Sequence, residues 1–121
     1  MLYQERNIIF NVGHAFYRPA TVVVRDLGVL AATVQRQQTG RLRVLDAMSG
    51  CGIRALRYVL EAGADRVWVN EANSEVQPVL KANLEQYLQP SKYQITNTDS
   101  NRIFFDCYNR ADFYVVIDVD G

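Results

Sequence analysis

Apolar positions along the chain recur with helical spacing in some stretches and crowd into short runs in others. In "ATVVVRDLGVLAATVQRQQTG", Val23, Leu27, Leu30 and Val34 fall at i, i+4, i+7 and i+11. That spacing predicts one apolar face of a helix, with Thr21 as a fair N-cap and Gly40 as its stop. "RLRVLDA" reads as a short strand. "GIRALRYVLEAG" returns to helical spacing through Ile53, Leu56, Val59 and Leu60 and closes at Gly63. "DRVWVNE", β-branched and aromatic at its centre, predicts a second strand. In "NSEVQPVLKANLEQYL", Ser74 and Gln77 have the spacing of a capping box. Pro78 falls in the first turn, where its missing N–H costs no internal hydrogen bond. "KYQITNT" predicts a third strand, "RIFFDCYN" a short helix and "ADFYVVIDVDG" a fourth strand.

The predicted order is a helix, then strand and helix three times, then a strand. Such alternation implies an α/β fold: an open, mostly parallel sheet with helices on both faces, of Rossmann-like type. The run "FYVVIDV" suits a strand buried on both faces and so a central one. Two residues later the sequence stops, which would leave a bare apolar edge. The expectation is a fragment, or an edge covered by another chain. A homodimer pairing through residues 113–120 would satisfy that edge.

A length of 121 residues suits one domain. Within it, residues 1–40 form an N-terminal segment and helix, and residues 41–121 a half-sheet. Thirteen basic residues balance thirteen acidic ones. Neutrality argues against a chain-wide nucleic-acid surface, though not against a local patch. "MLYQERNIIF" carries charges too early for a signal peptide, and no apolar run approaches the ~20 residues of a membrane span. Cys51 and Cys107 lie far apart, without a CxxC or Cys/His pattern; they read as reduced thiols of a cytoplasmic protein, and no metal site is expected. His14, the single histidine, has no evident partner.

The candidate chemistry lies in "VLDAMSGCGIRALRY". Gly50, Gly52 and Ala55 satisfy G-x-G-x-x-A between a predicted strand and helix. Glu71 follows about 20 residues later at the end of the next strand, where ribose hydroxyls are held in dinucleotide folds. A tight turn that binds nothing would also need these small residues. Asp46 distinguishes among ligands. A carboxylate at the mouth of the loop would repel a pyrophosphate, whereas S-adenosylmethionine has no phosphate and carries a sulfonium and an ammonium. Asp99, in "NTDS", ends the third strand and could accept the adenine amino group. Asp46, Glu71 and Asp99 thus end three successive strands, at the place where open α/β sheets bind ligands.

Three stretches resemble the tRNA guanine-26 N2-dimethyltransferases, which are class I S-adenosylmethionine-dependent enzymes. "FYRPATVVVRDLGVL" resembles the family's "FYNPxMxxNRDLSV". "LDAMSGCGIRALRY" resembles "LDALSATGIRAIRY", and "FYVVIDVDG" resembles the opening of "FDVIDLDPFGSP". The resemblance implies a class I methyltransferase fold and transfer of methyl to the exocyclic N2 of a guanine in tRNA. It implies roles for Arg25 and Arg54 at the methionine carboxylate, for Asp46, Gly50 and Gly52 in the cofactor loop, and for Glu71 at the ribose. Asp99 and Ser100 match the pair at the adenine, and Asp120 the catalytic aspartate of "DPFG". Phe16 and Tyr17 are candidates to stack on a guanine drawn out of its stack; as core aromatics they would have no such role. Departures are Arg18 and Val24, each in place of asparagine, "SGCG" in place of "SATG", and Gly121 in place of proline. The competing readings are a class I methyltransferase acting on another substrate, and a non-catalytic fragment that self-associates through its fourth strand. In the first reading most tRNA contacts would come from parts outside this chain.

Overall fold

The computed structural model describes residues 1–106 in full, and residues 107–109 and 116–118 as backbone. It opens with a hairpin of β1 (Leu2–Glu5) and β2 (Ile8–Asn11), antiparallel with Glu5 opposite Ile8. The sequence pattern assigned no element to this segment. Its signal is short: Ile8 and Phe10 are buried while Ile9 and Asn11 face out, a period of two over four residues. Arg6 turns the hairpin with φ +53, a conformation that favours glycine or asparagine, and its guanidinium pairs with Asp26.

After a short 3₁₀ turn at Pro19–Thr21 come α1 (Val22–Thr39), β3 (Arg43–Asp46), α2 (Ile53–Leu60), β4 (Arg66–Asn70) and α3 (Gln77–Tyr87). A second 3₁₀ turn, Pro90–Lys92, leads into β5 (Tyr93–Thr96), α4 (Ser100–Asn109) and β6 (Val116–Asp118). The sheet is parallel throughout, in the order β5-β4-β3-β6. The predicted alternation is therefore present. Among the described residues the fourth predicted strand, β6, stands outside β3 rather than between two strands.

Side chains alternate across the sheet and divide the core in two. Val44, Val67 and Val69 join Leu56 of α2, Leu80 and Leu84 of α3, and Ile8 and Phe10 of the hairpin. Leu45 and Trp68 point the other way and pack on Ile103 of α4. Helices thus cover both faces, as the crossover rule requires.

Two expectations about helix ends and faces are corrected. The stripe Val23, Leu27, Leu30 and Val34 lies on the exposed side of α1, between 42 and 63 % accessible. The buried side carries Arg25 and Ala32 instead. Gly28 brings α1 close to α2, since a Cβ there would stand 2.9 Å from the Tyr58 hydroxyl. Gly28, rather than the large apolar stripe, makes this close approach, and Asp26 of α1 pairs with Arg57 of α2 beside it. The capping box also does not form. α3 begins at Gln77 with Val76 as its N-cap and no side-chain cap. Gln77 instead donates to the carbonyls of Glu71 (2.9 Å) and Thr96 (3.0 Å), and Ser74 to Asn97 (3.3 Å). Unsatisfied carbonyls at the strand ends outcompete the cap. Gly40 does end α1 in the left-handed conformation, φ +79.

Candidate functional site

The carboxyl ends of β3, β4 and β5 open into a cavity of about 770 Å³. Its walls are the segment 14–18, the loop after β3, the start of α2, and the turns after β4 and β5. This is the position at which parallel sheets with crossover helices hold ligands, because the loops diverge there.

The loop after β3 is built by backbone geometry. Gly50 and Gly52 take φ +58 and +91, where a side chain would strain the turn. At Gly52 there is also no space: a Cβ would lie 2.8 Å from Leu80 Cδ1. Gly52 is thus the point at which α2 starts against α3, and Gly50 lies on the cavity wall. Asp46 is fully buried beneath the loop. Its Oδ2 accepts the Ser49 hydroxyl at 2.8 Å, and Arg54 Nη1 lies 4.0 Å from Oδ1. Glu71 reaches back from β4: Oε1 accepts the Gly50 N–H and Oε2 the Asn73 N–H, each at 2.9 Å. The N–H that would face a phosphate in a dinucleotide loop is therefore already held by a carboxylate.

On the α1 side, Glu5 anchors the wall from behind. It is buried and binds Arg25 through Nε (2.9 Å) and Nη2 (2.6 Å), Arg57 Nη1 (3.0 Å) and the Tyr17 hydroxyl (2.8 Å). Arg57 is further paired with Asp26 and Glu61, so charges of both signs interleave. Burial would raise the Glu5 carboxyl, but hydrogen bonds from Arg25 and Tyr17 outweigh it and leave it below its usual range. Burial, followed by the hydrogen bond to Glu5, pushes the Tyr17 phenol up to about 12. Tyr17 also packs edge-on against Phe10 and Tyr3 and under the Arg25 guanidinium. It is a wedged member of the wall. Phe16 beside it is 69 % exposed.

The far wall is set by Asn70, which has no exposed surface. Its amide donates to the Ala47 carbonyl (3.1 Å) and the Thr98 carbonyl (2.8 Å), and accepts from Thr96 (2.8 Å) and the Thr98 N–H (3.1 Å). One buried amide thus ties together the ends of β3, β4 and β5. Asp99 follows immediately and caps α4, accepting the Arg102 N–H at 3.0 Å.

The structure brings Phe16, Tyr17, Arg25 and Gly50 onto one cavity with Arg54, Glu71, Asp99 and Ser100. Asp46 and Gly52 stand behind that wall. Asp120 lies outside the described residues, as do the greater part of 113–120 and the side chain of Cys107. Sequence reasoning missed Glu5, Asn70 and Asn83, whose polar atoms are satisfied only by residues distant in sequence. It also assigned nothing to His14, which lines the cavity.

This geometry can be set beside known proteins. Residues 2–121 match the model of the family described as N2,N2-dimethylguanosine tRNA methyltransferase. The chain belongs to that family. A relative named tRNA (guanine(26)-N(2))-dimethyltransferase from Thermococcus kodakarensis is 35 % identical over 112 residues, covering 81 % of this chain and 29 % of its own length. One of the same name from Aeropyrum pernix is 37 % identical over 95 residues, covering 74 % of this chain and 23 % of itself. The structure of Trm1 from Pyrococcus horikoshii with S-adenosyl-L-methionine superposes with a TM-score of 0.84 at 25 % identity, over 100 % of this chain and 36 % of that one. The chain therefore spans about a quarter to a third of these family members. Its sheet and helices have the Rossmann-like fold of S-adenosylmethionine-dependent methyltransferases.

Proposed function

We propose that this chain forms the cofactor-binding part of an S-adenosylmethionine-dependent enzyme that methylates the exocyclic N2 of guanine in tRNA, at position 26 by family likeness. The observation that carries the cofactor is the Gly50 N–H held by Glu71. A phosphate would have to displace that carboxylate and then sit beside it. A carboxylate accepts on about four lone-pair sites, so Glu71 can hold the loop and still accept from a ribose diol. Asp99 retains an oxygen for the adenine amino group, with Ser100 beside it. Gly50 admits close approach of the ligand, and Gly52 and Asp46 fix the loop from behind. Arg25 and Arg54 face the methionine carboxylate.

S-adenosylmethionine, when bound, supplies an electrophilic methyl group. The chain's residues bind and orient, and a carboxylate at Asp120 takes the proton of the guanine amine, as the family likeness implies. Phe16 is the exposed face on which the base stacks, and Tyr17, packed against Tyr3 and Phe10, holds the wall next to it. In-line positioning of amine and methyl accounts for most of the remaining rate. tRNA as substrate, association of two copies through 113–120 and a cytoplasmic location belong to the same proposal. Among the described residues no helix is long and apolar enough to cross a membrane.

Calorimetric titration with S-adenosylmethionine, and with NAD as control, tests this reading. S-adenosylmethionine should bind the more tightly. Glu71→Ala should lower its affinity by about 1–3 kcal/mol, the range for a ligand that loses a charged acceptor. Preference for NAD, or an affinity indifferent to Glu71, would reject the assignment.

A further inference from the structure

The cavity wall carries the guanidinium groups of Arg18, Arg25 and Arg54, and they differ in what holds them. Arg25 is bound by Glu5 through Nε and Nη2, by the Thr21 hydroxyl oxygen through Nη1, and by the Arg18 carbonyl. Arg54 lies over Asp46. Arg18 is exposed, and among the described residues no carboxylate pairs with it. Its guanidinium carbon instead sits 5.2 Å from the centroid of the Phe16 ring. Its backbone is fixed, because its carbonyl accepts from the Thr21 N–H (3.1 Å), the Thr21 hydroxyl (2.8 Å) and Arg25 Nη2 (3.0 Å). A fixed backbone thus presents a charge at the cavity wall that no carboxylate among the described residues neutralises.

The surroundings say what this charge is for. Glu71 and Asp99 line the cavity on the side of the strand ends, and Arg25 and Arg54 are already engaged by Glu5 and Asp46, which leaves Arg18 as the wall's guanidinium without a carboxylate among the described residues. A nucleotide within a polynucleotide must bring its phosphate close when its base enters. A planar guanidinium suits a phosphate, offering paired donors as well as charge.

We propose that Arg18 binds the backbone phosphate of the target nucleotide, while Phe16, stacked on the same guanidinium, receives the base. This rests on reading the cavity as the site of a guanosine in RNA. The test is an NMR titration of the chain, with S-adenosylmethionine present, by guanosine and by guanosine 5′-monophosphate. The unaltered chain should bind the monophosphate roughly three- to tenfold more tightly, as one charge-assisted contact at a partly exposed site allows. Arg18→Gln should abolish that advantage and leave guanosine binding unchanged. Arg18→Lys, which keeps the charge without the fork, should recover part of it. An advantage that survives in Arg18→Gln, with guanosine still bound, overturns the Arg18 assignment alone. An equal loss for both ligands would place Arg18 on the base and overturn the phosphate assignment. If S-adenosylmethionine binds but neither guanosine ligand does, the guanosine reading falls and Arg18 with it.

Discussion

At the scale of single residues, Glu5 has the largest consequence. Its carboxylate receives two guanidinium groups and a phenol while buried. Removing one partner of such a cluster leaves buried charge uncompensated, so Glu5→Gln should cost about 3 kcal/mol at neutral pH. The pH dependence has a definite sign. The folded-state pKa of Glu5 lies below its ordinary 4.5, so its contribution is complete above that value. It is lost as the pH falls through the lower, folded value. Urea unfolding between pH 7 and pH 3 should show this loss in the unaltered chain and a smaller one in Glu5→Gln. Asp65, lowered chiefly by the Leu42 N–H, keeps its own share of the acid sensitivity in both proteins. Identical acid profiles would show that Glu5 does not carry the effect. The sequence marks Glu5 with nothing beyond an acidic letter near the N-terminus, because its partners lie 12, 20 and 52 positions away.

At the scale of elements, the hairpin and α1 show where patterns mislead. β2 would be an open edge, yet α3 closes it with side chains one turn apart. Asn83 accepts the Asn11 N–H (3.0 Å) and donates to the Asn11 carbonyl (2.7 Å), and the Tyr87 hydroxyl accepts the Ile9 N–H (2.8 Å) and donates to its carbonyl (3.0 Å). Asn83 also donates to the Cys51 carbonyl at 2.8 Å, joining the hairpin to the glycine loop. Asn83→Ala strands these groups, and chemical denaturation should register a loss of about 2–4 kcal/mol. A loss under 1 kcal/mol would mean that water replaces the amide. In α1 the helical period was legible but not its direction. Periodicity defines a face and leaves open whether that face is turned inward. Here Gly28 permits the close contact with α2, and Asp26 and Arg57 pair across it, while the buried positions of α1 are Arg25 and Ala32. The double variant Leu27→Gln, Leu30→Gln should therefore change stability by no more than about 0.5 kcal/mol, where a core stripe would lose several. A large drop in melting temperature would place the stripe in the core after all.

At the scale of the whole molecule, the parallel sheet was legible because alternation is a local property of sequence. Of the three acids expected to end strands, only Asp46 does so, Glu71 following β4 by one residue and Asp99 following β5 by three to cap α4. The polar clamps of Glu5, Asn70 and Asn83 were not legible, since each is defined by partners brought together only in the fold. Assembly lies between the two. β6 is described as backbone, paired with β3 in the register Val44 to Val116, and among the described residues it pairs with no strand on its other side. An apolar strand with free backbone groups on one edge is a template for another strand. Two copies meeting there about a two-fold axis would satisfy both edges with one self-complementary contact. The same surface would then be buried twice, so association should be steep in concentration. Sedimentation velocity at micromolar and higher concentrations should show a dimer that dissociates on dilution. Val116→Lys should move the equilibrium toward monomer, since it introduces a charge into an apolar strand. If the unaltered chain sediments as a monomer at every concentration, the edge is satisfied within one copy, and the shared-strand dimer is excluded.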